Sequence, residues 1–257
     1  MILDDLMVVA SQTLVTTVFQ GFRAELLAAF GKETYTSKAD DSPVTQYDVK
    51  VEDTLKRELA SAFPELGFHG EETGTSGSAE SYWLVDPIDG TSSFVRGLPF
   101  CTNMAALVHE GQVIAAVIYD FLNDSLYTAI KGQGAFKDGQ LIHIIETRQP
   151  GDLFIYSMAR VAFSHIQEAL GVLKMRAMLP LGAAGHQYMM LAEGKIDGIV
   201  NIEIGRKGLH DNAPGVLICE EAGAVLLPYD DETGVNRSRF IIGTPLVVDT
   251  IERSGLI

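Results

Sequence analysis

Cysteine is almost missing from this sequence: Cys101 and Cys219 are the two among 257 residues. They stand far apart and outside any CxxC spacing, which excludes a CxxC-based site and reads as two small buried hydrophobes in a reducing compartment. Positive charge is short too, with 19 Lys and Arg against 34 Asp and Glu and a formal net charge of −15. Nucleic acid and anionic membrane surfaces would repel such a chain, so neither is expected as a partner. Long apolar runs are missing as well; the best one is broken by His109 and Glu110, which excludes a membrane span. Asp4 and Asp5 stand where a secretory leader needs positive charge, so the expected location is the cytoplasm. Aromatics are few, and no internal repeat or low-complexity segment occurs.

What is present is apolar content close to half of the chain, enough for a substantial core in one large or two small domains, and 25 glycines, which predict many tight turns. Leu3, Leu6, Met7, Ala10, Leu14, Val18, Phe22 and Leu26 recur at helical steps and predict one long helix ending near Gly31. Lys32 to Pro43 reads as a polar loop able to cover or uncover a site. Thr45 caps a second helix with Val51, Leu55, Leu59 and Phe63 on its apolar face, and Thr45 with Asp48 fits a capping box. Gly74 to Glu80 reads as a surface loop, and strands are predicted at Met104 to Val108, Val113 to Tyr119 and Ser125 to Ala129. Glu110-Gly111 and Asp138-Gly139 are hairpin turns. The Gly132/Gly134 pair lacks the third glycine and the helix of a dinucleotide fingerprint.

The chain is organised around Trp83 to Phe94. Tyr82 to Val85 read as a buried strand stopping at Asp86, because Pro87 cannot continue ladder pairing. Asp89-Gly90-Thr91-Ser92-Ser93 then reads as a turn feeding a helix start. Two carboxylates three residues apart sit there, with the backbone N–H groups of Gly90 to Ser93 expected to be free. Such a turn can hold hard cations on its carboxylates and a phosphate on its amides. Taken alone, the dipeptides favour a plain turn.

A second unit is expected from residue 147, giving halves at 1–146 and 147–257. It holds a predicted strand at Leu153 to Met158, a helix around Ser164 to Val172, Leu179 to Gly185 leading into a helix through Gly194, and a strand-like run at Ile196 to Ile204. Asp211 precedes a helix at Val216 to Ala222, where an N-cap would sit. Asp230-Asp231-Glu232 reads as a solvated turn.

Each acid alone reads as a cap or a solvated charge. As a set, Glu71, Asp86, Asp89 and Asp211 all lie where a strand or loop meets a turn or a helix start. His69-Gly70-Glu71-Glu72-Thr73, Asp86-Pro87-Ile88-Asp89-Gly90-Thr91, and Asp211-Asn212-Ala213-Pro214-Gly215 with Glu221-Ala222-Gly223 resemble the signature blocks of the inositol monophosphatase family in order and spacing. The resemblance implies an α+β fold, the layered αβαβα sandwich shared by inositol monophosphatase and fructose-1,6-bisphosphatase. It further implies lithium-sensitive hydrolysis of a small phosphorylated polyol or sugar, and a homodimer. The implied cofactor is Mg²⁺, two or three ions, with Mn²⁺ or Ca²⁺ able to occupy the site. Glu71, Asp86, the Ile88 carbonyl, Asp89 and Asp211 fall on metal-ligand positions. Thr91, Asp48 and Glu71 fall on the positions that orient the attacking water. Gly90 and Thr91 match the phosphate cradle, and Gly182, Ala184, Glu203 and Asp211 fall on substrate-contacting positions.

The chain departs from the family at His210, where Trp is common, and in a longer Glu203 to Asp211 segment. That length leaves the substrate-hydroxyl role to Glu203 or Asn201, and places Arg206 and Lys207 where they either reach a second anionic group or form a solvated basic loop. Histidinol phosphate, fructose 1,6-bisphosphate and phosphoadenosine phosphate are alternative substrates. A phosphatase working through an aspartyl nucleophile of the haloacid-dehalogenase type needs two Asp separated by one residue, and Asp86 and Asp89 are separated by two. A non-catalytic cation-binding regulatory protein is the reading of another class.

Overall fold

Helix-period apolar residues at the N-terminus and strand-period residues after them produce two helices laid against a sheet. The computed structural model describes residues 3–38, 42–144, 153–157, 171, 176–179, 183–201, 209–228 and 239–254. Helix α1 spans Asp5–Ala29, with Asp4 as its N-cap accepting the Met7 amide. Helix α2 spans Gln46–Ala62 and starts on the expected capping box of Thr45 and Asp48. The polar stretch between them is more ordered than a plain loop, because β1 (Thr36–Ser37) pairs antiparallel with β2 (Pro43–Val44).

The first sheet is formed by β3 (Gly67–Gly70), β4 (Gly74–Ser76), β5 (Ser81–Asp89), β6 (Thr102–His109), β7 (Gln112–Asp120), β8 (Ser125–Ile130), β9 (Ala135–Lys137) and β10 (Gln140–Ile142). Their order is β10-β9-β8-β7-β6-β5-β3-β4. Only β3 and β5 run parallel; the other neighbours are antiparallel. The expected turns hold, since Glu110-Gly111 and Asp138-Gly139 have positive φ at both residues, the backbone of a two-residue hairpin. Two expectations need correction: β4 lies inside the segment read as a surface loop, and β5 does not stop at Asp86. Its register with β6 runs through Asp86↔Met104, shifts, and resumes at Asp89↔Thr102. A bulge absorbs Pro87 and Ile88, which is how a strand accommodates a residue without a ladder donor. Asn103 Nδ2 donates to the Pro87 carbonyl freed by the bulge.

The second sheet holds β11 (Phe154–Ser157), β12 (Ala177–Leu179), β13 (Gly198–Asn201), β14 (Val225–Pro228) and β15 (Phe240–Gly243), in the order β12-β11-β13-β15-β14. The described helices after β5 are α3 (Thr91–Arg96), α4 (Ala184–Ala192), α5 (Leu209–Glu221) and α6 (Pro245–Ser254). Helix α5 starts earlier than the expected Val216, because the chain is already helical at Leu209. Asp211 therefore lies in the first turn of that helix rather than before it. The expected helix around Ser164 to Val172, the boundary near residue 147 and the turn at Asp230 to Glu232 lie outside the described residues, apart from Gly171 of that helix.

Alternating strand residues divide the core. Trp83, Val85, Ala105, Leu107, Val117 and Tyr119 face Val15, Phe19, Leu26, Val51 and Leu55 of α1 and α2. Met104, Ala116, Ile118 and Tyr127 pack on the opposite face against Tyr188, Leu191, Leu217 and Ile218 of α4 and α5, which in turn cover Ile199, Phe240 and Ile242 of the second sheet. The far side of that sheet packs on Val247 and Ile251 of α6. The layers are thus αβαβα, as expected. No helix among the described residues is long and apolar enough to cross a membrane.

Candidate active site

The bulge in β5 decides where the acids go. Asp86, Ile88 and Asp89 are all buried at the end of this strand. Side-chain oxygens of Asp86, Asp89 and Asp211 lie within 4.8 Å of one another, with Asp211 arriving from the first turn of α5. Asp86 Oδ1 is buried without a hydrogen-bond partner among the described residues. Burial first, then the negative charges of Glu71, Asp89, Asp211 and Asp48, push the Asp86 carboxyl well above the usual carboxylate range. A buried acceptor with no donor, ringed by like charge, is stable as an anion only with a compensating cation. Three carboxylates at this spacing suit a hard, oxygen-loving divalent ion.

Asp89 is held differently. The amides of Ala184 and Gly185 donate to its Oδ1 and Oδ2 at 2.9 and 2.7 Å, and Thr102 Oγ1 lies 3.2 Å from Oδ2. Helix α4 has no side-chain cap of its own, so Asp89, almost a hundred residues upstream, serves its first turn. Burial raises the Asp89 carboxyl, and these donors oppose the rise. Ala184, expected to touch substrate, thus has its amide committed to Asp89. Gly182 and Glu203 lie outside the described residues, as do Arg206 and Lys207. Asn201 is buried and its side-chain amide donates to Asn212 Oδ1 at 3.2 Å.

Thr91 Oγ1 lies 2.9 Å from the Ile88 carbonyl and 3.2 Å from Asp48 Oδ1, and its single proton goes to one of them at a time. Asp48 keeps its capping role as well, with Oδ2 accepting from the amide and hydroxyl of Thr45. Burial pushes the Asp48 carboxyl up to about 6, against those bonds. Gly90 takes φ +81° and a Cβ there would lie 2.4 Å from the Phe100 carbonyl oxygen, so glycine is required. The expected free amides are fewer than four, because Ser93 N–H turns back onto the Gly90 carbonyl at 2.8 Å.

Glu71 extends from the turn after β3, and its amide bonds the Val85 carbonyl one residue before Asp86. Its carboxylate meets Lys38 Nζ at 2.7 Å, and the same ammonium pairs with Glu72. Burial raises the Glu72 carboxyl to about 7, against the pull of Lys38. Lys38, Thr102 and Glu52 escaped the sequence reading, and Glu72 was quoted in a signature block without a role, since their partners are set by tertiary structure; the polar loop was the one hint of Lys38. His210, at the family's Trp position, is largely buried with Nε2 lacking a partner among the described residues, and burial lowers its basicity.

A family model for the inositol monophosphatase family matches residues 4–253. An inositol-1-monophosphatase of Mesorhizobium japonicum is 32% identical over 195 residues, covering 73% of this chain and 72% of that protein. A fructose-1,6-bisphosphatase/inositol-1-monophosphatase of Aquifex aeolicus is 29% identical, covering 86% and 84%. The crystal structure of the extragenic suppressor protein suhB from Bartonella henselae superposes with a TM-score of 0.81 at 26% identity, over 95% of this chain and 97% of that one. With the family model spanning almost the whole chain, the protein belongs to the inositol monophosphatase family and is a phosphoric monoester hydrolase.

Proposed function

We propose that the protein hydrolyses a small phosphorylated polyol or sugar, with Mg²⁺ held by Glu71, Asp86, the Ile88 carbonyl, Asp89 and Asp211. The observation that carries this reading is the buried Asp86 oxygen, without a partner among the described residues, amid carboxylates packed within 4.8 Å. Bound there, Mg²⁺ would supply Lewis-acid charge that acidifies a water and draws charge off the leaving oxygen. The residues of the chain do the positioning. Thr91, donating to Asp48, turns its oxygen lone pairs to receive a proton from the attacking water, and Glu71 takes part in orienting that water on the other side. The amides of Gly90 and Thr91 face the phosphoryl oxygens, where charge spreads during transfer. Attack is in line, and with water as the nucleophile no covalent phospho-enzyme is needed. The homodimer and the sensitivity to Li⁺ implied by the family belong to the same proposal, as does the cytoplasmic location expected from the sparse cysteines.

Phosphate release from inositol monophosphate, fructose 1,6-bisphosphate, histidinol phosphate and phosphoadenosine phosphate, with Mg²⁺ or with EDTA, tests the reading. Mg²⁺-dependent release with one preferred member is the expected result. No release from any member, with Mg²⁺ bound, would replace it by a cation-binding regulatory role.

A further inference from the structure

The acids of the proposed centre come from several elements, so their mutual spacing has to be fixed by something. Helix α2 presents two carboxylates four residues apart, one turn of helix, and therefore on one face. Asp48 takes the Thr91 hydroxyl. Glu52, one turn on, is fully buried, and no role has been given to it so far. Its Oε1 accepts the Glu72 amide at 2.9 Å, and its Oε2 accepts the Thr73 amide and the Thr73 hydroxyl, each at 2.8 Å. Both oxygens are thus spent on the backbone turn that carries Glu71. The fit is close: a Cβ on Gly70 would lie 2.0 Å from Glu52 Oε2, so the turn rests directly on the carboxylate. On its other flank Glu71 is tied to Val85 of β5.

We propose that Glu52 is a positioning residue for Glu71: α2 acts as a two-pronged brace whose prongs, Asp48 and Glu52, fix Thr91 and the Glu71 turn at one distance across the metal centre. Glu52 reaches neither metal nor substrate; it acts through the backbone of Glu72 and Thr73. The inference rests on the metal reading given above. In Glu52→Gln the side chain keeps its size, but one acceptor oxygen becomes an NH₂ group facing an N–H donor, and the turn has to shift.

Mg²⁺ affinity, measured calorimetrically on the folded protein, reads this directly. Glu52→Gln is expected to weaken Mg²⁺ binding by about 10–100-fold, the range found when a residue behind a metal ligand is removed. Thr73→Ala, which deletes one of the three donors and is the milder change, weakens it in the same direction by a smaller factor. Leu55→Ala, a buried apolar loss on the same helix, lowers the melting temperature and leaves Mg²⁺ affinity unchanged, which separates positioning from general destabilisation. Wild-type affinity in a folded Glu52→Gln or Thr73→Ala protein, or an equal loss in Leu55→Ala, would overturn the proposal for Glu52 alone. Failure of the wild type to bind Mg²⁺ would overturn the metal reading and this one with it.

Discussion

At the scale of single residues, Asp86 and Asp89 look alike in sequence and differ in surroundings. Asp86 has an oxygen with no donor among the described residues and is raised by burial and four like charges; Asp89 has donors on both oxygens. Neutralising either removes a proposed metal ligand, and turnover is expected to fall below about a tenth of the wild-type rate in both Asn variants. Their effects on metal-free stability should part company. Asp86→Asn removes a buried carboxyl that without a cation must either stay charged among like charges or take up a proton, and its melting temperature in EDTA should rise by about 2–4 °C, roughly 1 kcal/mol. Asp89→Asn relieves charge too, but turns an NH₂ group on the amides of Ala184 or Gly185 and uncaps α4, so it should be less stable than Asp86→Asn. Thermal unfolding of the two variants in EDTA decides the matter; equal stabilities, or a less stable Asp86→Asn, would contradict the assignment. None of this difference was legible in the Asp-Pro-Ile-Asp-Gly-Thr block. The block reveals the carboxylates, whereas the amides that donate to Asp89 come from residues nearly a hundred positions later.

At the scale of elements, periodicity located α1 and α2, because each has one face in the core and one toward solvent, while the turn dipeptides Glu110-Gly111 and Asp138-Gly139 located the hairpins. It failed where an element is buried all round or interrupted. Strand β5 is buried along its whole length, so nothing in its alternation could show that pairing resumes after Pro87. Helix α5 begins at a stretch of Gly, Asn and Pro residues that reads as loop, and Pro214 lies inside it. Gly215, which the sequence shows only as the end of the third signature block, proves to be a packing residue. A Cβ there would lie 2.0 Å from ring atoms of Tyr188, which is fully buried and hydrogen-bonded to Asn212 through its hydroxyl. Helix propensity favours Gly215→Ala by about 1 kcal/mol, but overlap with a ring that cannot retreat costs about 1–3 kcal/mol or more. The overlap should win, and the melting temperature should drop by several degrees. A variant as stable as the wild type would show that α4 and α5 can separate, and that the close approach is not needed to present Asp211.

For the molecule as a whole, the family and its layered fold were legible because the three acidic blocks keep their order along the chain. What the blocks do not reveal is the electrostatic cost of bringing them together. Burial is the largest cause of the rise at Asp48, to about 6, and at Glu72, to about 7, and it raises Glu52, Asp86 and Asp89 as well. A carboxyl whose folded value exceeds its unfolded value of about 4 binds its proton more tightly in the folded state. Its stabilising contribution is therefore complete below pH 4 and is lost as pH rises through the folded value. Asp120 and Glu193 run the other way: His186 and Asn123, and Tyr127 with two lysines, overcome burial and hold them low. Those two complete their titration below about pH 5. Inside the window the five raised carboxyls are opposed by His69 and His210, whose basicity burial lowers, and five groups against two set the sign. Without divalent cations the protein should become less stable between about pH 5 and pH 7.5, a window in which most proteins change little. Mg²⁺ binds the ionised carboxylates, so the stability it adds should grow over the same window and cancel the loss. Melting temperatures at the two pH values, in EDTA and in excess Mg²⁺, measure both trends. A metal-free protein that grew more stable toward pH 7.5 would mean that the acids already find their countercharge within the chain, with Lys38 the nearest candidate, and that the fold does not depend on a cation to hold its active site together.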